Sequence, residues 1–140
     1  MRRWIAALAF GLALLVTMAH AHHSISGVYE SNRKVSVEGI VAEFQFVNPH
    51  PFVILTVKQA NGSSERWQLE MDNRFELARI GMTSETLKSG DRISVTGNPS
   101  RTQSQRLYIL RLDRPEDGFG YEQVGDSPRI SAQSPSVPRP

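Results

Sequence analysis

Apolar and polar residues alternate along much of this chain, and the alternation predicts strands. From Lys34 to Val47, Val35 and Val37 alternate with Ser36 and Glu38; after Gly39 the apolar set passes to Ile40, Ala42, Phe44 and Phe46. An alternation changes phase only through an extra residue or a sharp bend, and Gly39 is the natural place for a bulge. One long first strand, bent in its middle, is therefore expected to serve both halves of a small closed barrel. Asn48-Pro49-His50-Pro51 interrupts the chain before a second strand, Phe52 to Lys58, rich in Val, Ile and Thr. Asn61-Gly62 signals a hairpin, because both residues tolerate a left-handed turn. Arg66 to Met71 then reads as a third strand, with Trp67, Leu69 and Met71 on one face and Gln68 and Glu70 on the other.

The period changes after Met71. Asn73 is placed to cap a helix, and Glu76 three residues on completes a pair resembling a capping box. Phe75, Leu77, Ala78 and Ile80 supply that helix with an apolar side, and Gly81 ends it. A second helical turn is expected from Ser84 to Lys88. Ser89-Gly90-Asp91 turns the chain into a fourth strand, Arg92 to Thr96, with Ile93 and Val95 inward. Gly97-Asn98-Pro99 reads as a loop, and Gln105 to Leu112 as a fifth strand. The expected fold class is mainly β: a small five-stranded OB-like barrel, in the order β-β-β-α-β-β, with one short helix.

The barrel domain is expected at residues 34–113, preceded by an N-terminal arm at 22–33. From Arg114 to Pro140 the apolar periodicity lapses and Pro, Ser, Gly and Gln accumulate. Residues 114–140 are therefore expected to form a disordered tail with too little apolar surface to offset its ordering entropy. No internal repeat at solenoid periods is present.

The first residues are of a different kind. Arg2 and Arg3 precede an unbroken apolar run from Trp4 to Met18, followed by Ala19-His20-Ala21. A basic start, an apolar stretch and an Ala-x-Ala site read as a secretory signal peptide, residues 1–21. A bilayer span needs about 17–25 apolar residues, more than this run supplies, so no membrane span remains after cleavage. The expected location is periplasmic or secreted. Cleavage after Ala21 leaves a mature chain beginning His22-His23-Ser24; cleavage after Ala19 would leave His20-Ala21-His22.

Composition narrows the function. The 140-residue chain has no cysteine, which removes disulfides, thiolate metal sites and cysteine nucleophiles. Its 16 Lys and Arg stand against 14 Asp and Glu. Subtracting Arg2 and Arg3, both in the signal peptide, leaves 14 against 14, so the mature chain is formally neutral. Neutral charge and export argue against a nucleic-acid partner. The arginines at 66, 74, 79, 92, 101, 106 and 111 are scattered and read as a solvated surface. Nucleophile elbows, phosphate-binding loops and His-Glu-x-x-His are all absent, so no catalytic residues are assigned and the protein reads as non-enzymatic.

Candidate metal ligands are His22, His23 and His50. An N-terminal histidine offers its α-amine and its imidazole to one cation as a chelate. Imidazole and amine suit Cu(II), Zn(II) and Ni(II), and His50 would complete an all-nitrogen set that copper favours. That set requires the N-terminus to fold back onto the Asn48–Pro51 turn. In the alternative, His50 merely hydrogen-bonds a loop backbone and the other two are solvated. Trp67 reads as a core residue rather than a stacking platform, because it alternates with Leu69 and Met71. Glu70 is expected either to accept backbone amide hydrogen bonds at the helix start or to partner the histidines.

His22-His23-Ser24, Asn48-Pro49-His50, Trp67-x-x-Glu70, Leu77-x-x-x-Gly81, Leu87-Lys88-x-Gly90-Asp91 and Val95-x-Gly97 occur together. In combination they resemble an uncharacterised family of small secreted bacterial proteins with a domain of unknown function, over His22 to about Leu112. The chain departs from that pattern at Phe46, where Trp is common, and at the glycine-poor loop Ser100-Arg101-Thr102. The resemblance implies export and a small β domain, and no activity. The functional expectation is a secreted binding module, taking copper or another divalent metal through the N-terminal histidine. The alternative is an OB-type interaction or stress-protective module whose groove takes a peptide, glycan or protein partner, with structural histidines. The small ligand or protein partner and the oligomeric state are not encoded in these patterns.

Overall fold

The structure, a computed structural model, describes residues 24–132. His22, His23, the cleavage site and the signal segment lie outside the described residues, as do residues 133–140. The elements are α1 (Ser24–Val28), β1 (Val35–Gln45), β2 (Phe52–Lys58), β3 (Ser64–Glu70), α2 (Arg74–Arg79), β4 (Arg92–Pro99), β5 (Arg106–Arg114), β6 (Phe119–Val124) and β7 (Ser127–Ala132). Among the described residues no helix is long and apolar enough to cross a membrane.

Strands β1 to β5 close on themselves. β1 pairs antiparallel with both β2 and β4, β2 with β3 and β4 with β5, and a parallel pairing of β3 with β5 shuts the ring. This is the expected OB-like barrel. β1 serves both halves: Val35–Ile40 face β4, and Ile40–Gln45 face β2.

The bend has a different origin from the one expected. The register shifts between Val41 and Glu43, not at Gly39. Val41 is buried at 1% exposure, so the inward set runs on through residue 41 and changes phase at the extra residue, Ala42, before Phe44 and Phe46 pack on the core. Gly39 is required for close approach instead. A Cβ there would stand 2.3 Å from the Thr56 carbonyl oxygen, and one at Gly97 would stand 2.2 Å from that of Tyr108. At both positions neighbouring backbones come too close to admit any side chain. Gly97 also lies inside β4 rather than in a loop.

Leu55, Leu69, Ile93, Leu107, Ile109 and Leu112 fill the barrel. Leu77 closes one end from α2, which Asn73 caps as expected by accepting from the Glu76 amide at 2.9 Å. Gly81 follows the helix at φ +98°. Phe75, expected on the apolar side, is 69% exposed, because a helix of six residues has room to bury little more than Leu77. The expected helical turn at 84–88 is a non-helical turn. There the Thr83 amide donates to the Thr86 hydroxyl at 2.8 Å and the Glu85 amide to the Thr83 hydroxyl at 3.2 Å, offering the backbone an alternative to helix.

The disordered tail expected from residue 114 is corrected as far as Ala132. β6 pairs with the end of β5, and β7 with β6. Tyr121 lies opposite Leu112 and is 1% exposed. One buried aromatic, together with turns at Gly118 and Gly125, both at positive φ, supplies what average composition concealed. The barrel domain therefore extends past residue 113. The arm from Ser24 onward is folded against the barrel: α1 leads into Tyr29, which bridges to Ser100 and is 2% exposed.

Candidate functional site

The site is built where two connections meet. The Asn48–Pro51 turn, whose Asn48–Pro49 peptide is cis, is stitched to the β3–α2 connection by backbone bonds. The Met71 amide donates to Pro51 at 3.0 Å and the Arg74 amide to Pro49 at 2.9 Å. These bonds hold His50 against the end of β3. Its Nδ1 lies 2.9 Å from the Met71 carbonyl oxygen. A carbonyl only accepts, so Nδ1 carries the hydrogen, and in the neutral ring Nε2 keeps a free lone pair.

Behind His50 lies a buried polar cluster. Tyr29 donates to Glu70 Oε2, Arg106 Nη2 donates to the same oxygen at 2.8 Å, and Arg106 Nε donates to the Tyr29 hydroxyl at 2.8 Å. Glu70 Oε1 stands 3.8 Å from His50 Nδ1. Glu70 thus takes side-chain donors rather than the expected backbone amides. Burial, reinforced by the hydrogen bond to Glu70, pushes the Tyr29 phenol far above its ordinary range. For Arg106, burial pulls the guanidinium down, but the bonds to Glu70 and Tyr29 outweigh it and hold the pKa above the usual value. Arg106 therefore belongs to an internal latch, not to the solvated surface expected for it. Trp67 packs half-buried against the core, as expected.

In front of His50 opens a groove of about 670 Å³. His50, Asp72, Asn73, Tyr108 and Asp126 line it, with Ile25 and Ser26 of α1 at its edge. Asp72 is 9% exposed; its Oδ1 accepts from the Asn73 amide at 2.7 Å and its Oδ2 from Gln123 Nε2 at 3.0 Å. No cation pairs with it among the described residues. Tyr108 is 5% exposed, and burial first, then the charges of Asp72, Glu70 and Asp126, raise its pKa far above the ordinary tyrosine value. Among the described residues no cluster of three or more His, Cys, Asp or Glu side chains is disposed to hold a metal. Of the three candidate ligands, only His50 lies within the described residues.

Asp72, Tyr108 and Tyr29 escape a reading by sequence. Asp72 and Tyr108 are far apart in the chain and carry no motif. Tyr29 sits in a stretch with no periodicity, where the lone large aromatic of the arm is the available signal.

No curated protein matches the chain. Among solved structures, the N-terminal domain of PriB protein from Thermoanaerobacter tencongensis is 17% identical, covers 78% of this chain and 100% of that one, and has a TM-score of 0.42. TiaS, in its complex with a transfer RNA and ATP, is 12% identical, covers 78% of this chain and 30% of its own, and has a TM-score of 0.45. Residues 10–107 match the family of unknown function DUF6152, and the chain belongs to that family.

Proposed function

We propose that the processed protein is a secreted, periplasmic, non-enzymatic metal-binding module that takes Cu(II) through an N-terminal histidine. Cleavage after Ala21 exposes the amine and imidazole of His22, and His50 supplies a further imidazole through Nε2. His23 is adjacent and offers a substitute ring.

The observation that carries this reading is the placement of His50. Its Nδ1 is committed to the Met71 carbonyl, which fixes the tautomer as metal-bound histidines are commonly fixed by a second partner. It also lines the same groove as Ile25 and Ser26. Three residues of chain reach at most about 11 Å, so His22 lies within about that distance of Ile25. Nitrogen ligands and the general divalent-metal order favour copper over zinc.

Calorimetry on tag-free protein starting at His22 tests it. Cu(II) is expected to bind more tightly than Zn(II). One residue added before His22 weakens binding sharply, because it displaces the chelate; His50→Ala weakens it less. If copper binds the doubly altered protein as well as the mature one, the histidines are structural and the interaction-module reading replaces this one.

A further inference from the structure

Asp72 is a buried carboxylate whose protein partners are neutral. A charge removed from water is costly unless it is matched. Neutral amide donors, the backbone and side chain of Asn73 and the side chain of Gln123, partly satisfy its oxygens but leave its charge uncompensated. The groove in which it lies includes a second carboxylate, Asp126, and no lysine or arginine among its lining residues. The charged groups nearby are accounted for. Arg106 is bound to Glu70, and Arg101, which does not line the groove, reaches the Ser26 carbonyl at 3.3 Å. His50 donates to Met71. Tyr108, nine-tenths buried and lining the groove, has no hydrogen-bond partner for its hydroxyl among the described residues. A carboxylate with an unmatched charge beside a free phenol oxygen offers acceptors to an N–H cation.

We propose that this groove is the docking site of the chain's own processed N-terminus, with the α-ammonium of His22 pairing with Asp72 and bonding the Tyr108 oxygen. Chain length selects this occupant: Ile25 and Ser26 already line the groove, and only two residues, His23 and Ser24, separate Ile25 from His22. Charge selects it as well, since a primary ammonium has three donors for acceptors that lack a cation. Docking would bring His22 to the groove that His50 also lines, so the inference deepens the metal reading and rests on processing after Ala21. Copper binding then displaces a proton from the amine.

The test uses metal-free exported protein whose start at His22 is verified by intact mass. Nuclear Overhauser contacts between His22 and the Tyr108 ring are expected, and they should vanish when one alanine is inserted before His22. The insertion should lower Tm by about 4 °C in the wild type and by almost nothing in Asp72→Asn. Should Asp72→Asn fail to fold, Tyr108→Phe takes its place and is expected to reduce the insertion's effect by about half. Absent contacts, or an insertion effect that persists in full in the variant, overturn the proposal. Equal binding of free spermidine to the inserted and uninserted proteins also overturns it, because the groove would then serve diffusible amines. Contacts intact without copper affinity would overturn the metal reading alone; copper affinity without contacts would overturn docking alone.

Discussion

Glu70 and Asp72 stand two residues apart at the end of β3, and each is 9% exposed. Their surroundings differ. Glu70 receives Arg106 and the Tyr29 hydroxyl on one oxygen, Oε2, so its charge is matched from within the protein itself. Asp72 receives only neutral amides, from the backbone and side chain of Asn73 and from Gln123, and its charge is left facing a groove. The chain turns out of the strand between them, and that turn sends one acid to a latch and its near neighbour to an opening. Equal burial therefore says little about role; the presence or absence of a cation separates a carboxylate that holds the fold from one that awaits a ligand.

The sharpest way to break this contrast is to remove the matched acid. Glu70→Ala strands the Arg106 charge and the Tyr29 hydroxyl, and is expected to cost about 4 kcal/mol in denaturant titration. A cost under about 1 kcal/mol would mean that the latch is decorative. Truncation after Asp113 should cost about 3 kcal/mol, since it removes buried Tyr121 and takes Gln123 from Asp72. A truncated protein as stable as the parent would show that β6 and β7 do not support the barrel.

Alkaline titration probes both acids at once. Tyr29 beside Glu70, Tyr108 near Asp72, and Tyr121 all have pKa values raised above the ordinary one, chiefly by burial. A raised folded pKa means that the unfolded chain loses its phenolic protons first as pH climbs. The stability these groups contribute is thus complete below about pH 10 and is lost above it, as pH rises toward the folded values. Phenolate absorbance is expected to appear in one cooperative step with unfolding. Independent titration of one tyrosine near pH 10 in folded protein would contradict this. The smallest effect belongs to Asp72→Asn in protein lacking His22. There, removing an unmatched charge while keeping a hydrogen-bonding side chain should change stability by less than about 1 kcal/mol in either direction. A loss as large as that of Glu70→Ala would erase the distinction between the two acids.

The barrel is legible in the sequence because it depends on local periodicity. Trp67, Leu69 and Met71 alternate, Asn61-Gly62 turns, and Asn73 caps, each within a few residues. The bulge is harder to place, because Ala42 is too small to mark which face it takes and Gly39 nearby offers a more obvious bend. The β6–β7 hairpin is hidden by its polar composition, since one tyrosine carries most of its burial. The groove is less legible still. His50 stands out from its setting between two prolines, but Asp72, Tyr108 and Ile25 converge only through closure of the ring, and pairing between distant strands leaves no local trace.

The latch also bears on how quickly the protein becomes itself. Tyr29 reaches Arg106 across 77 residues, and that arginine takes its place only where β5 lies alongside β3. Contacts so distant along the chain form late, because the loops they enclose must be ordered before the contact repays them. The start of the domain is therefore the last part able to settle. A ligand set that includes the N-terminus, as proposed above, would inherit this delay and be complete only after the barrel has closed.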